Sequence, residues 1–313
     1  MREYTTPAVK ELDPDTRLTD TVFTRAAQEP NAVMFRRLVD GAWRDVTCAE
    51  FHRDVMGVAK ALIAAGINHG DRVALMSRTR YEWTVIDYAI WTIGGVTVPI
   101  FDTSSEEQVE WILRDSGSTL AFVENDEHAE RVRAVSAQLL EPDRIVQIES
   151  DSFPAFVATG ADVADSVVEE RRAATGLDDL ATLIYTSGTT GRPKGCELTQ
   201  RNLAFDVMSV NSGPMKDVFT MEGRSTLLFL PLAHSLARII QVGCVETKTV
   251  MGHFPSTGPD LLDALASFQP RFLLAVPRVF EKVYNKAEQK AIASGRGKIF
   301  KAAADTAIAY SKA

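Results

Sequence analysis

Short runs of consecutive apolar residues alternate along this chain with stretches in which apolar residues recur every three or four positions. The short runs predict strands, which we place at residues 72–77, 96–100, 119–124, 144–149, 180–186, 225–230 and 271–276. The periodic stretches predict amphipathic helices at residues 48–65, 81–93, 105–116, 128–140, 199–212, 235–245, 259–268 and 279–291. Strands that alternate with helices at this spacing predict an α/β fold of mostly parallel sheets with flanking helices.

Two other segments shape the predicted organisation. Residues 32–37 and 41–45 flank an Asp-Gly pair, which favours a small antiparallel hairpin. Residues 151–179 are rich in Ala, Asp, Glu and Arg and show no strand periodicity, so we interpret them as a linker. The sequence therefore predicts a first αβ subdomain at 1–150 and the start of a second αβ subdomain at 180–313.

Composition and charge limit which kinds of molecule the protein is expected to bind. The chain has 313 residues, of which 45% are hydrophobic and 24% charged, as in ordinary globular proteins. Its net charge of −8 argues against nucleic acid, because binding phosphates requires a basic face. The three cysteines are Cys48, Cys196 and Cys244. They are widely separated and suggest neither a disulfide framework nor a zinc site, so we expect reduced thiols and a cytoplasmic location by default.

A loop rich in glycine and hydroxyl groups follows the predicted strand at 180–186. Glycines allow successive backbone N–H groups to point at an anion, while hydroxyls add hydrogen-bond donors and Arg192 and Lys194 add positive charge. The pattern predicts a cradle for a polyphosphate. It differs from the common nucleotide-binding P-loop, because Pro193 stands where that motif requires glycine. The hydroxyl and glycine residues are Thr186, Ser187, Gly188, Thr189, Thr190 and Gly191.

The eleven residues 185–195 together resemble the phosphate-binding signature of the AMP-forming adenylation superfamily, which includes acyl-CoA synthetases, luciferases and peptide-synthetase adenylation domains. The resemblance implies that a carboxylate attacks the α-phosphate of ATP and displaces pyrophosphate, and that the resulting acyl-adenylate then passes its acyl group to coenzyme A as a thioester and releases AMP. It also implies phosphate contacts from the loop and from Lys194. Thr186 would contact a Mg²⁺ ion that bridges phosphate oxygens.

Two further segments narrow the resemblance. Pro-Leu-Ala-His at 231–234 and Val-Pro-Arg-Val-Phe-Glu-Lys at 276–282 are similar to bacterial long-chain fatty acyl-CoA synthetases. His234 follows a predicted strand, where open α/β sheets bind ligands, and the resemblance implies contact with substrate or nucleotide rather than acid–base work. The catalytic set is therefore Thr186, Lys194 and His234. For residues 276–282, a role as scaffold and a role in lining an acyl tunnel both remain open.

None of the family's later signatures occurs in residues 279–313, and Gly-x-Thr-Glu occurs nowhere in the chain. They are an aromatic-Gly-x-Thr-Glu segment, a ribose-binding Asp, a hinge residue and a lysine on a C-terminal lid domain. The resemblance thus covers the N-terminal half of such an enzyme. We expect this portion to be inactive alone, because the acids that would hold the ribose and the metal lie in the other half.

Three functions fit these observations. The first is a long-chain fatty-acid–CoA ligase, with fatty acid, ATP and coenzyme A as substrates. The second is a fatty-acyl-AMP ligase or another acid-activating relative, and the third is a non-catalytic fragment that binds nucleotide or acyl chains. A lysine stripe in the helix at 279–291 is typical of a solvated face but leaves peripheral membrane contact open, and homodimer formation also stays open.

Overall fold

The computed structural model describes residues 11–186, 192–213, 216–255, 258 and 260–312. Within those ranges the chain forms ten strands in two sheets. The strands are β1 (Val33–Val39), β2 (Ala42–Thr47), β3 (Arg72–Met76), β4 (Val96–Ile100), β5 (Leu120–Val123), β6 (Ile145–Gln147), β7 (Leu180–Thr186), β8 (Lys194–Thr199), β9 (Ser225–Leu228) and β10 (Val250–His253).

Thirteen α-helices and one short 3-10 turn, Pro142–Arg144, connect the strands within the same ranges. The helices are α1 (Asp20–Gln28), α2 (Cys48–Ala64), α3 (Tyr81–Thr92), α4 (Glu106–Ser116), α5 (Asp126–Ser136), α6 (Ser152–Ala158), α7 (Asp165–Ala173), α8 (Gln200–Ser212), α9 (Lys216–Thr220), α10 (Ser235–Glu246), α11 (Leu261–Phe268), α12 (Pro277–Ala293) and α13 (Gly297–Lys312).

The larger sheet has six strands in the order β6-β5-β3-β4-β7-β8, and all of them are parallel except β8, which is antiparallel to β7. Helices cover both of its faces, so the residues of the central strands β3, β4 and β5 are buried on both sides. In β3, Val73 and Leu75 join one hydrophobic cluster while Ala74 and Met76 join the other. Burial on both faces explains why the central strands appear in the sequence as continuous apolar runs.

The smaller sheet has four strands in the order β2-β1-β10-β9. The predicted hairpin forms β1 and β2, and its turn places Asp40 and Gly41 at positive φ values of 50° and 77°. Strands β10 and β9 run parallel to β1. The predicted mixture of parallel sheets and flanking helices is thus confirmed.

The strand predicted at 271–276 does not form. The N–H groups of Arg271 and Phe272 both donate to the carbonyl of Ser225, at 2.9 and 3.2 Å, and no ladder continues from there. Residues 272–276 run without regular structure into α12, which begins at Pro277. The prediction was wrong because an apolar run shows only that residues prefer burial, whereas a strand also needs a neighbouring edge with unpaired backbone groups.

The segment interpreted as a linker contains α6 and α7, and both pack on α2. Val168 is fully buried, and a Cβ on Gly160 would lie 2.5 Å from the backbone nitrogen of Ala61. The predicted subdomain boundary does not separate the two sheets, because β7 pairs with β4 and β10 pairs with β1. Residues 151–179 are therefore a packed helical connection within the described part of the chain.

A buried polar network joins the two sheets through α3 and α10. Asp87 on α3 and Arg238 on α10 are both fully buried and form an ion pair at 2.8 Å. Thr97 on β4 and Gln241 on α10 also donate to Asp87, at 2.7 and 3.0 Å. Burial raises the pKa of Asp87 to about 6, although attraction to Arg238 and the hydrogen bonds act in the opposite direction.

Replacement of Arg238 by Met should destabilise the fold strongly, because it leaves the Asp87 carboxylate buried without its cationic partner. We expect a loss of about 3–5 kcal/mol in the free energy of unfolding, measured by urea titration at pH 7. The double variant Asp87→Asn with Arg238→Met should recover part of that loss, since a neutral amide needs no counter-ion. Equal stability of the single and double variants would contradict this account of the pair.

Candidate active site

The two strands that flank the predicted phosphate loop bring its first and last functional groups together. Thr186 is the exposed last residue of β7, and Lys194 is the exposed first residue of β8. The two residues are direct partners in the antiparallel ladder. Side chains at paired antiparallel positions lie on the same face of a sheet, so a hydroxyl and an ammonium group share this edge. The predicted contacts Ser187, Gly188, Thr189, Thr190 and Gly191 lie outside the described residues.

The last glycine of the loop motif has a packing function. Gly195 lies opposite Tyr185 in the ladder, and a Cβ at this position would lie 3.1 Å from Cζ of the tyrosine ring. That distance is shorter than an ordinary van der Waals contact, so any side chain would displace the ring. Glycine therefore lets the Tyr185 ring lie across the start of β8 directly beside Lys194.

His234 lies close to the carboxyl edge of the same sheet. It is exposed and stands at the N-terminal cap of α10. Its ring meets that of Phe101 edge-on, with 5.8 Å between the ring centroids. Phe101 directly follows β4, the strand next to β7, so the contact brings His234 to the edge that carries Thr186. Thr79, which follows β3, donates to the carbonyl of Leu230 at 2.6 Å and fixes the segment before the histidine.

A crevice that sequence reasoning missed opens between the carboxyl ends of β3 and β5. From these neighbouring strands the chain leaves in opposite directions, β3 towards β4 and β5 towards β6, and such switch points bind ligands in open α/β sheets. The crevice has a volume of about 570 Å³. Its lining includes Arg78, Ser104, Asn125, His128 and Arg131.

Hydrogen bonds within the protein hold the charged side chains of the crevice in place. Glu124, at the end of β5, accepts from the side chain of Arg78 at 2.9 Å and from its backbone N–H at 2.7 Å. Burial alone would raise the pKa of Glu124, but the bonds and charge of Arg78 outweigh it and lower this pKa below its ordinary value. Arg131 donates to the carbonyls of Asp102 and Ser104, both at 2.9 Å. Each arginine therefore has a set orientation.

The described residues contain no group of three or more His, Cys, Asp or Glu side chains that could hold a metal ion. A Mg²⁺ ion at this edge would take its protein oxygen from Thr186, and this fits an ion that usually keeps waters and binds substrate phosphates. A bilayer-crossing helix is also absent from the part of the chain that the structure describes.

Comparison with known proteins agrees with this architecture. The profile of the AMP-binding enzyme family matches residues 22–306, and the chain therefore belongs to that family. It is 43% identical over 316 aligned positions to the long-chain-fatty-acid–CoA ligase FadD15 of Mycobacterium bovis and, at the same identity, to that of Mycobacterium tuberculosis. The alignments cover 100% of this chain and 52% of each relative, so the chain spans about half the length of these curated relatives.

Solved structures share the fold. The inhibitor-bound N-terminal domain of FACL13 from Mycobacterium tuberculosis superposes with a TM-score of 0.68 at 25% identity, over 85% of this chain and 64% of that one. A fatty acyl CoA synthetase from the same organism gives a TM-score of 0.68 at 24% identity, over 85% of this chain and 50% of that one. The described sheets and helices thus share the fold of these two structures, one of which is an N-terminal domain.

Replacement of Glu124 by Gln should destabilise the fold in a pH-dependent way. Because the folded-state pKa of Glu124 is lowered, its charge stabilises the fold above the unfolded-state pKa, and this contribution disappears as the pH falls through the folded value. At pH 7 we expect a loss of about 1.5–3 kcal/mol in the free energy of unfolding, by urea titration. The loss should shrink as the pH falls below about 4.

The exposed pair of Arg36 and Asp45, 2.9 Å apart, provides a matched control. Asp45→Asn should cost less than about 1 kcal/mol at pH 7 because solvent screens an exposed pair. A penalty for Glu124→Gln no larger than that control, or one that does not change with pH, would contradict a structural role for the Glu124 charge.

Proposed function

We propose that the chain is the N-terminal part of an AMP-forming long-chain fatty-acid–CoA ligase, which converts ATP, a fatty acid and coenzyme A to acyl-CoA, AMP and pyrophosphate. The observation that carries the proposal is the convergence of Thr186, Lys194 and His234 at one edge of the six-stranded sheet. It occurs in a chain 43% identical, over its whole length, to a protein named as a long-chain-fatty-acid–CoA ligase.

The chemistry of the first step explains why these groups share an edge. Attack of a carboxylate on the α-phosphate brings two anions together and builds charge on the departing pyrophosphate. Donors and cations placed where that charge develops lower the barrier. Lys194 supplies a cation beside the loop, and we propose that Ser187, Gly188, Thr189, Thr190 and Gly191 supply hydroxyl and backbone donors. Magnesium, when bound with ATP, would neutralise phosphate charge, and Thr186 would hold it.

His234 serves in this proposal as a contact for the reacting carboxylate or the nucleotide. Its ring is exposed among the described residues, so a ligand can reach it, and its edge-on contact with Phe101 fixes the ring's position. Because it stands at the N-terminus of α10, the backbone dipole there also favours an anionic ligand. The imidazole and the helix end thus favour a carboxylate or phosphate at the same place.

The location and partners that we propose rest on features away from this edge. All three cysteines are unpaired, which suits a reducing compartment such as the cytoplasm. Exposed Phe280 and Tyr284 lie on one face of α12 and a lysine stripe lies on another face, and this amphipathic arrangement favours peripheral contact with an anionic membrane surface. We propose no nucleic-acid partner, because the net charge is −8.

Replacement of Lys194 by Ala tests the proposed function. In the complete reading frame, loss of one charge-assisted phosphate contact should lower kcat/KM for ATP roughly ten- to a hundredfold, measured by fatty-acid-dependent pyrophosphate exchange. The KM for fatty acid and the melting temperature should stay unchanged, because Lys194 is exposed and is assigned to the phosphates of ATP rather than to the fatty acid.

The matched control is Lys298→Ala, which removes an exposed lysine from α13, away from the sheet edge. It should leave ATP kinetics unchanged. Equal ATP kinetics in the two lysine variants would overturn the assignment of this edge as the ATP site. Adding coenzyme A to the wild-type reaction and detecting a thioester separates a CoA ligase from an acyl-AMP ligase.

A further inference from the structure

We infer that α4 supports the phosphate loop from outside the site, and that Trp111 on this helix is a positioning residue for ATP binding. The inference rests on the proposed function, because it concerns the same loop. Neither the loop motif nor the histidine segment includes α4. We infer this role because α4 contacts the chain both before the loop, at Tyr185, and after it, at Arg192 and Pro193.

The first contact holds the segment after the loop. The indole Nε1–H of Trp111 donates to the carbonyl of Pro193 at 2.7 Å. The guanidinium of Arg192 lies over the same indole, 4.7 Å from the ring centroid, at a distance typical of a cation–π contact. One side chain therefore engages two consecutive residues immediately before Lys194.

The second contact holds the strand before the loop. The hydroxyl of Tyr185 donates to Asp115 at 2.7 Å, and Tyr185 directly precedes Thr186. Burial and the adjacent Asp115 carboxylate raise the pKa of Tyr185, so the hydroxyl remains protonated as a donor. Trp111 and Asp115 are four residues apart and so lie on the same face of α4. That face therefore meets the chain on both sides of the loop.

Helix α4 is itself firmly placed. Its N-terminus carries a capping box between Ser105 and Gln108, and it ends at Gly117 in a left-handed conformation. Val109 and Leu113 are buried against the sheet. By contrast, β8 is an edge strand whose first four residues are exposed, and among the described strands it pairs with β7 alone. The helix adds the anchorage that an edge strand lacks.

This arrangement separates the roles of the two cations in the motif. Arg192 is engaged by the Trp111 ring and serves as an anchor, whereas Lys194 stands opposite Thr186 and remains the phosphate-facing charge. Because these contacts hold Thr186 and Lys194 in place before ATP binds, less conformational entropy is lost on binding. Loosening the Trp111 contact should therefore weaken ATP binding without removing any group that touches ATP.

The test uses the complete reading frame and measures the KM for ATP, the KM for fatty acid, kcat and the melting temperature. Trp111→Phe removes the N–H donor but keeps a ring for Arg192, and should raise the KM for ATP roughly three- to tenfold, the effect of one hydrogen bond. Trp111→Ala should raise it further. Adding Arg192→Ala to Trp111→Ala should have no extra effect, because the cation–π contact is already lost.

Trp43→Phe is the matched control, since Trp43 on β2, in the smaller sheet, donates its indole N–H to the hydroxyl of Ser267 on α11 at 3.1 Å. It should leave the KM for ATP unchanged while shifting the melting temperature about as much as Trp111→Phe. A KM for ATP in Trp111→Phe equal to that of Trp43→Phe overturns the inference, even if Trp111→Ala fails to fold.

Lys194→Ala in the same assay keeps the two claims distinguishable. If Lys194→Ala impairs ATP use and Trp111→Phe does not, the proposed function stands and the role of Trp111 is rejected. If Lys194→Ala has no effect, the loop is not the ATP site and both claims fail. If both variants raise the KM for ATP while the KM for fatty acid stays constant, the positioning role is supported.

Discussion

The buried ion pair between Asp87 and Arg238 is the interaction on which the geometry of the site depends. A buried charge is costly unless it is paired and fully hydrogen-bonded, and Asp87 meets this condition through three groups on two elements, β4 and α10. Arg238 also contacts Thr182 on β7, at 3.3 Å, and lies over the rings of Trp83 and Trp91. The pair therefore connects α3, α10 and the two strands β4 and β7.

This connection sets where the exposed groups of the site lie. Arg238 is one helical turn beyond His234, so anchoring the arginine also anchors the N-terminal end of α10. Strands β4 and β7 end at Ile100 and Thr186, and Phe101, which follows β4, touches His234. The edge that carries the candidate site is thus exposed but rests on a buried, hydrogen-bonded base. Support of the loop by α4 applies the same principle on the other face of the sheet.

Much of the fold could be predicted because the local pattern of apolar and polar residues indicates which side chains are buried. The central strands, buried on both faces, appear as apolar runs, and α2 and α4 are marked by capping residues. Strand β8 was missed because its exposed residues produce no apolar run, and β10 because Gly252 interrupts it. At that glycine a Cβ would lie 2.5 Å from the ring of Phe268, so the residue is required by close packing.

The candidate site was predictable only as far as its groups are contiguous in sequence. The loop and the histidine segment each carry a local signal, whereas the bond from Trp111 to Pro193 joins residues 82 positions apart. The crevice beside Glu124 likewise depends on strand order, which places the ends of β3 and β5 together. No local sequence pattern predicts this hydrogen bond or this crevice, because both arise from the packing of segments that are distant in sequence.

A crystal structure of the complete protein with a fatty acid and a non-hydrolysable ATP analogue would test the central claim most directly. We expect the analogue at the carboxyl edge of β4 and β7, with its β- and γ-phosphates within hydrogen-bonding distance of the loop and Lys194 and with the fatty-acid carboxylate beside His234. An analogue bound elsewhere, with Lys194 and His234 both facing solvent, would contradict it.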